Sequence, residues 1–187
     1  MMYKMVIDWI MDQFYKKASL NNSAFINNNP FQSHSLLFEK VSNEFALSLE
    51  GIHGVKHWIQ VYRYTQFLAK SCNVESEVFL LFSLLHDSKR ENEYEDIEHG
   101  RRAARSIEAY QNQGLILLSN EDTERLMFAC ANHTKADKSH PLYQDLVVQI
   151  CLDADKLDIG RVGVIPHESH FLTDVAKKIV KNSTSKL

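Results

Sequence analysis

"SLLHDSKREN", residues 83–92, sets a histidine and an aspartate side by side, His86 and Asp87, between an apolar run that begins at Val78 and a charged run that begins at Lys89. Adjacent residues on a helix point about 100° apart, so both side chains reach one object only if it lies in the cleft between them. An aspartate at the end of an apolar helix needs compensation for lost hydration. It also faces the negative end of the helix macrodipole, which disfavours it by ~0.3–1 kcal/mol. A cation answers both demands, so the reading of this stretch turns on whether the chain brings further metal donors to the same place.

Working outward, residues 75–87 form a nearly all-round apolar helix, which marks it as central. Before it, helical spacing predicts a helix through Leu37, Val41, Phe45 and Leu49 over residues 34–50, broken by Gly51 and Gly54. Another carries His57, Val61, Tyr64, Phe67 and Leu68 to about Ser71. After it, residues 88–97 read as a charged loop. "EHGRRAARSIEAYQNQG" follows as a helix with Ala103, Ala104, Ile107 and Tyr110 on one side and Gly114 as its stop. Asn120 or Ser119 caps the next helix, whose first turn holds Glu121, Asp122 and Glu124 and which runs towards His133. "TKADKSHPLYQD" is a polar excursion, residues 145–158 return as an apolar helix, and the tail "KKIVKNSTSKL" is expected to fray. Residues 2–17 space Met2, Met5, Val6, Trp9 and Ile10 as an amphipathic helix, and the Asn-rich stretch up to Pro30 reads as a loop. The expected division is an extension of helix and loop over residues 1–33 and a helical domain over 34–187.

The chain has 187 residues, 44% of them hydrophobic, enough to bury a substantial core. Six glycines and three prolines are too few for the many tight turns of an all-β fold, so an all-α fold is expected. A net charge of −3 gives no bulk basic excess, so nucleic acid is not an expected partner. Cys72, Cys130 and Cys151 are odd in number and widely spaced, which fits buried free thiols better than a disulfide framework. Asp8 and Asp12 interrupt the N-terminal apolar run, and no stretch reaches the ~20 apolar residues of a membrane span. A cytoplasmic setting without membrane attachment is the expectation.

In chain order the candidate metal donors are His57, the pair His86–Asp87, His99, His133 and Asp155, each at or near a helix end or on an inward face. Imidazole with carboxylate suits zinc, manganese, iron and similar divalent ions, and no thiolate belongs to the set. In "DADKLD", Asp155 shares the inward face with Leu152 and Ile159. Asp153 points about 200° away, and Asp158 is expected to be solvated. Taken singly, each signal has an ordinary alternative. His57 can be a core histidine, the doublet a plain helix end, and Lys89 and Arg90 a solvated loop.

The order of these residues resembles the HD-domain superfamily of metal-dependent phosphohydrolases. "HGVKHWIQVYRYTQFLA" resembles its first motif, "LLHDSKR" its doublet motif and "CLDADKLDIGRVG" its last, over roughly residues 50–165. The resemblance implies a helical bundle of the HD type in which His57, His86, Asp87 and Asp155 hold a divalent ion (Mn, Fe, Ni, Co, Zn or Mg). "EHGRRAA" and "ANHTK" resemble further family elements, so His99 and His133 would bind a second ion or the substrate phosphate. Hydrolysis of a phosphomonoester or phosphodiester of a nucleotide or other small metabolite is then expected. Asp87 would orient the attacking water, and His53, Lys89 and Arg90 would contact phosphate oxygens. The family's five-prime nucleotidases carry a glutamate where this chain has Arg90, with Glu91 one place later, a departure from that subtype. A di-iron oxygenase on the same bundle and a non-catalytic module that binds metal and phosphate ligands are the alternatives.

Overall fold

The computed structural model describes residues 29–184 together with Met5, so the expected helix over residues 2–17 and most of the loop after it lie outside the described residues. Among the described residues every regular element is helical. The α-helices are α1 (Ser35–Glu44), α2 (Val55–Cys72), α3 (Val78–Leu85), α4 (His99–Asn112), α5 (Asn120–Asn132), α6 (Leu146–Leu157) and α7 (Asp174–Thr184), joined in places by short 3₁₀ turns. None of them is long and apolar enough to cross a membrane.

Helix α3 is the hub. Val78, Phe79, Leu81, Phe82, Leu84 and Leu85 are all buried, and the helix packs against α1, α2, α5 and α6, as an element apolar on every side must. Around it α2 packs on α6, and α4 on α5. Cys130 and Cys151 are buried free thiols and Cys72 is half-buried.

Local chemistry sets the boundaries. The Asn29 side chain accepts from the Phe31 amide at 3.0 Å and starts a 3₁₀ turn over Pro30–His34. Phe31 is fully buried and stacks on Phe38, so packing begins before residue 34. Helix α1 stops at Glu44, short of the expected residue 50. Phe45 turns extended and sets its ring edge-on to Trp58 with centroids 5.1 Å apart. The chain then folds back, with Val55 N donating to Leu49 O at 2.8 Å. A Cβ on Gly54 would lie 2.1 Å from Leu49 O, so only glycine fits this reversal. Helix α2 ends on Asn73 in the left-handed region (φ 55°), with Val74 N closing on Ala69 O. Ser119 caps α5 by accepting from Asp122 N, and Asp145 caps α6 by accepting from Val147 N and Val148 N.

Two expectations are corrected at the C-terminal end. The tail does not fray through residue 184: α7 is a helix with Ala176, Val180 and Ser183 buried. Asp153, expected to point outward, is fully buried because α7 covers that face. Its carboxylate accepts from Leu172 N, Thr173 N and Thr173 Oγ1 and so anchors the start of α7. Asp153→Ala should leave these donors without a partner and cost about 1–3 kcal/mol in urea denaturation, with faster amide exchange across α7. Unchanged stability and exchange would contradict the anchoring role.

Candidate metal centre

The six candidate donors come from helix ends that converge on one side of the bundle. His57 lies in the first turn of α2 and His99 opens α4, while His86 and His133 directly follow α3 and α5 and Asp155 lies in the last turn of α6. They form two groups sharing a wall. In the first, His57 Nε2 and His86 Nε2 are 3.0 Å apart, with Asp155 Oδ1 3.3 and 3.7 Å from them. In the second, His99 Nε2 and His133 Nε2 are 2.7 Å apart, with Asp87 Oδ1 3.1 and 3.4 Å away. The other oxygen of the same aspartate, Asp87 Oδ2, lies 3.5 Å from His57 Nε2 and 3.7 Å from His86 Nε2. One carboxylate therefore presents an oxygen to each imidazole pair. All of these residues are buried except Asp155, which is half-buried.

Glycine is what lets the second group form. A Cβ on Gly100 would lie 2.3 Å from Cys130 O and 3.2 Å from the His133 ring. The "His-Gly" pair thus combines a donor with the residue that allows α4 to approach α5 closely enough to deliver it.

The ring tautomers are fixed from behind. His57 Nδ1 donates to Asp158 Oδ2 at 2.8 Å, His86 Nδ1 to Phe82 O at 3.1 Å and His133 Nδ1 to Cys130 O at 2.8 Å, and His99 Nδ1 donates to Asp96 O. Carbonyl and ionised carboxylate oxygens only accept, so each Nδ1 holds a hydrogen and each Nε2 turns a lone pair inward. Two facing lone pairs at 3.0 and 2.7 Å repel unless a positive charge lies at each contact. Histidines that donate Nδ1–H to an oxygen and aim Nε2 at a common point have the arrangement of metal ligands. With two carboxylates beside them, this donor set fits divalent cations.

Without a metal a proton is the available cation. Burial opposes charge on His57, but Asp155, Asp158 and Asp87 outweigh it and raise its pKa to about 10. Burial holds its partner His86 down at about 3, which leaves the proton of this pair on His57. Burial likewise opposes charge on His133, yet Asp87 and Asp155 push its pKa up. Asp87 and Asp155 remain ionised against their burial, held well below the usual carboxylate range by the surrounding imidazoles.

The remaining expected site residues divide. His53 Nδ1 donates to Asp87 Oδ2 at 2.9 Å, and Arg90 Nε donates to Asp87 Oδ1 at 3.1 Å. Both line a cavity of about 330 Å³ that also reaches Asp87, His133 and Asp155. Lys89 does not join them: its ammonium pairs with Glu44 at 2.6 Å and lies over the Tyr110 ring, away from the cavity wall. Asp158, expected to be solvated, is 3% exposed and backs His57. Its signal was available, since Asp155 and Asp158 are three residues apart and so share a helical face. Lys156 and Arg161, which also line the cavity, went unread in the sequence. A larger groove of about 1140 Å³ near Lys70 and Leu80 contains none of the six donors, so chemistry rather than volume identifies the site.

No family model matches the sequence, and no curated protein does. Among solved structures, the chain resembles the crystal structure of a predicted HD superfamily hydrolase from an uncultured Thermotogales bacterium. The two share 20% sequence identity over 89% of this chain and 92% of that one, with a TM-score of 0.62. The all-helical bundle is therefore a fold shared with that structure.

The raised His57 pKa gives a signed pH dependence. Its contribution to the stability of the metal-free protein is complete below the ordinary histidine value of 6.5 and is lost as pH rises through about 10. Melting temperatures in EDTA should fall across that window. Metal uptake must displace the proton, so calorimetry at pH 8 in buffers of differing ionisation enthalpy should register release of about one proton or more. Absence of proton release would contradict the protonated pair.

Proposed function

We propose that this chain is a metal-dependent phosphohydrolase in which His57, His86 and Asp155 hold one divalent cation, His99 and His133 hold a second, and Asp87 bridges the two. The observation that carries this proposal is the position of Asp87, with one oxygen against each imidazole pair. When bound, cations held by these residues would supply Lewis-acid charge against a phosphate ester and would lower the pKa of a coordinated water.

The chain's own residues do the positioning. His53 and Arg90 donate to opposite oxygens of Asp87 and fix the plane of its carboxylate. With its oxygens so directed, Asp87 would set the relative position of the two cations and, through them, the direction from which a bound water meets phosphorus. Asp158, Asp96 O, Phe82 O and Cys130 O hold the four rings in the tautomer that leaves Nε2 free to coordinate. Arg90, on the cavity wall, is also placed to contact phosphate oxygens. Lys89, engaged by Glu44, takes no part.

The shared carboxylate also suits a pair of irons that activate oxygen, so metal content and oxygen consumption belong in the first assay. Metal analysis should be followed by a screen with added manganese, nickel or cobalt against phosphomonoesters, cyclic nucleotides and nucleoside triphosphates. Ester hydrolysis without oxygen uptake supports the hydrolase. Oxygen uptake by an iron-loaded protein that cleaves no ester supports the oxygenase, and neither activity supports a binding module.

Substitutions separate the two cation positions. His99→Ala should lower bound metal from about two towards one per chain with the fold intact, because the first group keeps its own donors. Asp87→Ala should abolish hydrolysis and weaken both positions, and it should also destabilise the metal-free protein, because His53, Arg90 and the protonated imidazoles lose their shared carboxylate. If Asp87→Ala destabilised the metal-free and metal-loaded forms equally and left turnover intact, the doublet would be structural.

A further inference from the structure

We propose that Lys156 and Arg161 form an anion seat in the cavity while Ile159, Val162 and Pro166 form an apolar wall of the same cavity. The site would then select a small phosphomonoester carrying an apolar substituent, an inference that rests on the phosphohydrolase proposal above. All five residues line the cavity, and all follow Asp155 within one short stretch: the end of α6, the 3₁₀ turn Asp158–Val162, and the segment to Pro166.

Both cations have carboxylates nearby, with Asp158 Oδ2 and Asp87 Oδ2 each 3.9 Å from the Arg161 guanidinium, yet both keep donors for a further anion. Lys156 is half-buried and donates to no acceptor among the described residues. An ammonium partly withdrawn from water gains by meeting an anion. Arg161 is fixed by Nε donating to Ile52 O at 2.9 Å and Nη1 to Asp158 O at 3.4 Å. Its Nη2 lies 3.3 Å from His53 Nδ1, but the hydrogen on that nitrogen already goes to Asp87 Oδ2 at 2.9 Å, so this contact sets donor against donor. Asp87 Oδ2 itself is 3.9 Å from Nη2, beyond hydrogen-bond reach. The guanidinium thus keeps a donating edge in the cavity beside the shared carboxylate. Two such cations favour a phosphomonoester dianion over a diester monoanion.

Size and polarity narrow the rest of the ligand. About 330 Å³ is near the lower end of the ~300–1,000 Å³ of small-molecule sites, so the cavity itself takes in a small group. The apolar wall continues outward along the same segment, where Val162, Val164 and Ile165 are 45%, 47% and 58% exposed. An alkyl or aryl group leaving water against this lip gains by the hydrophobic effect, whereas a sugar hydroxyl would not.

The test uses the manganese-loaded full chain. Methyl-, butyl- and phenylphosphonate are titrated calorimetrically, and turnover of p-nitrophenyl phosphate and bis(p-nitrophenyl) phosphate is followed in parallel. Butyl- and phenylphosphonate should bind about tenfold or more tightly than methylphosphonate. Val162→Ser should erase most of that preference. Lys156→Gln should weaken all three phosphonates and lower kcat/KM for the monoester about tenfold more than for the diester. Equal affinity for all three phosphonates, or Lys156→Gln without effect on them, overturns the proposal even if esters are hydrolysed. If the phosphonates follow the expected pattern but neither ester is cleaved, the anion seat stands and the hydrolase proposal falls.

Discussion

Two imidazole contacts, with Nε2 atoms 3.0 and 2.7 Å apart, govern this molecule. The rings are not free to relieve them. A carboxylate or backbone carbonyl behind each ring takes the Nδ1 hydrogen and turns a lone pair inward. Two of those carbonyls, Phe82 O and Cys130 O, come from the last turns of α3 and α5, and Phe82 O takes both the amide and the ring hydrogen of His86, so carbonyls of the helix ends become part of the site. Each pair needs a positive charge, and the aspartate between them can remain ionised in a buried place only because that charge is near. The bundle positions the charges, and the charges make the end of the bundle tenable.

The same economy appears in the connections. Gly54 lets the chain reverse tightly before α2 and so sets the start of the helix that carries His57. Gly100 lets α4 approach α5 and so sets the meeting of His99 with His133. Arg102 donates twice to Lys89 O, tying the loop after the doublet to α4. The formal charge of −3 is blind to this arrangement, since Arg90, Lys156 and Arg161 gather around one small cavity.

Much of the helical layout was legible in the chain because spacing encodes a buried face, and α2 through α6 follow that spacing closely. What depended on a distant partner was not legible. Phe45 leaves α1 because Trp58 offers its ring a place, which no local pattern records. Asp153 looks solvent-facing on an isolated α6 and is buried because α7 lies over it. The tail reads as a polar end, yet Thr173 anchors it on that aspartate. Among the candidate donors, order and residue type were enough to collect all six. The pairing of His57 with His86 and of His99 with His133, and the position of Asp87 between them, are three-dimensional facts. Lys89 and Arg90 are neighbours of like charge, and only the positions of Glu44 and Asp87 separate them, one paired on the outer surface and one in the cavity.

The central claim is that one carboxylate joins two cation positions. Electron paramagnetic resonance of the manganese-loaded protein tests it directly, because two Mn²⁺ ions bridged by Asp87 are exchange-coupled. About two equivalents per chain with a coupled spectrum is the predicted result. A simple six-line spectrum of isolated Mn²⁺, at either one or two equivalents, would contradict it.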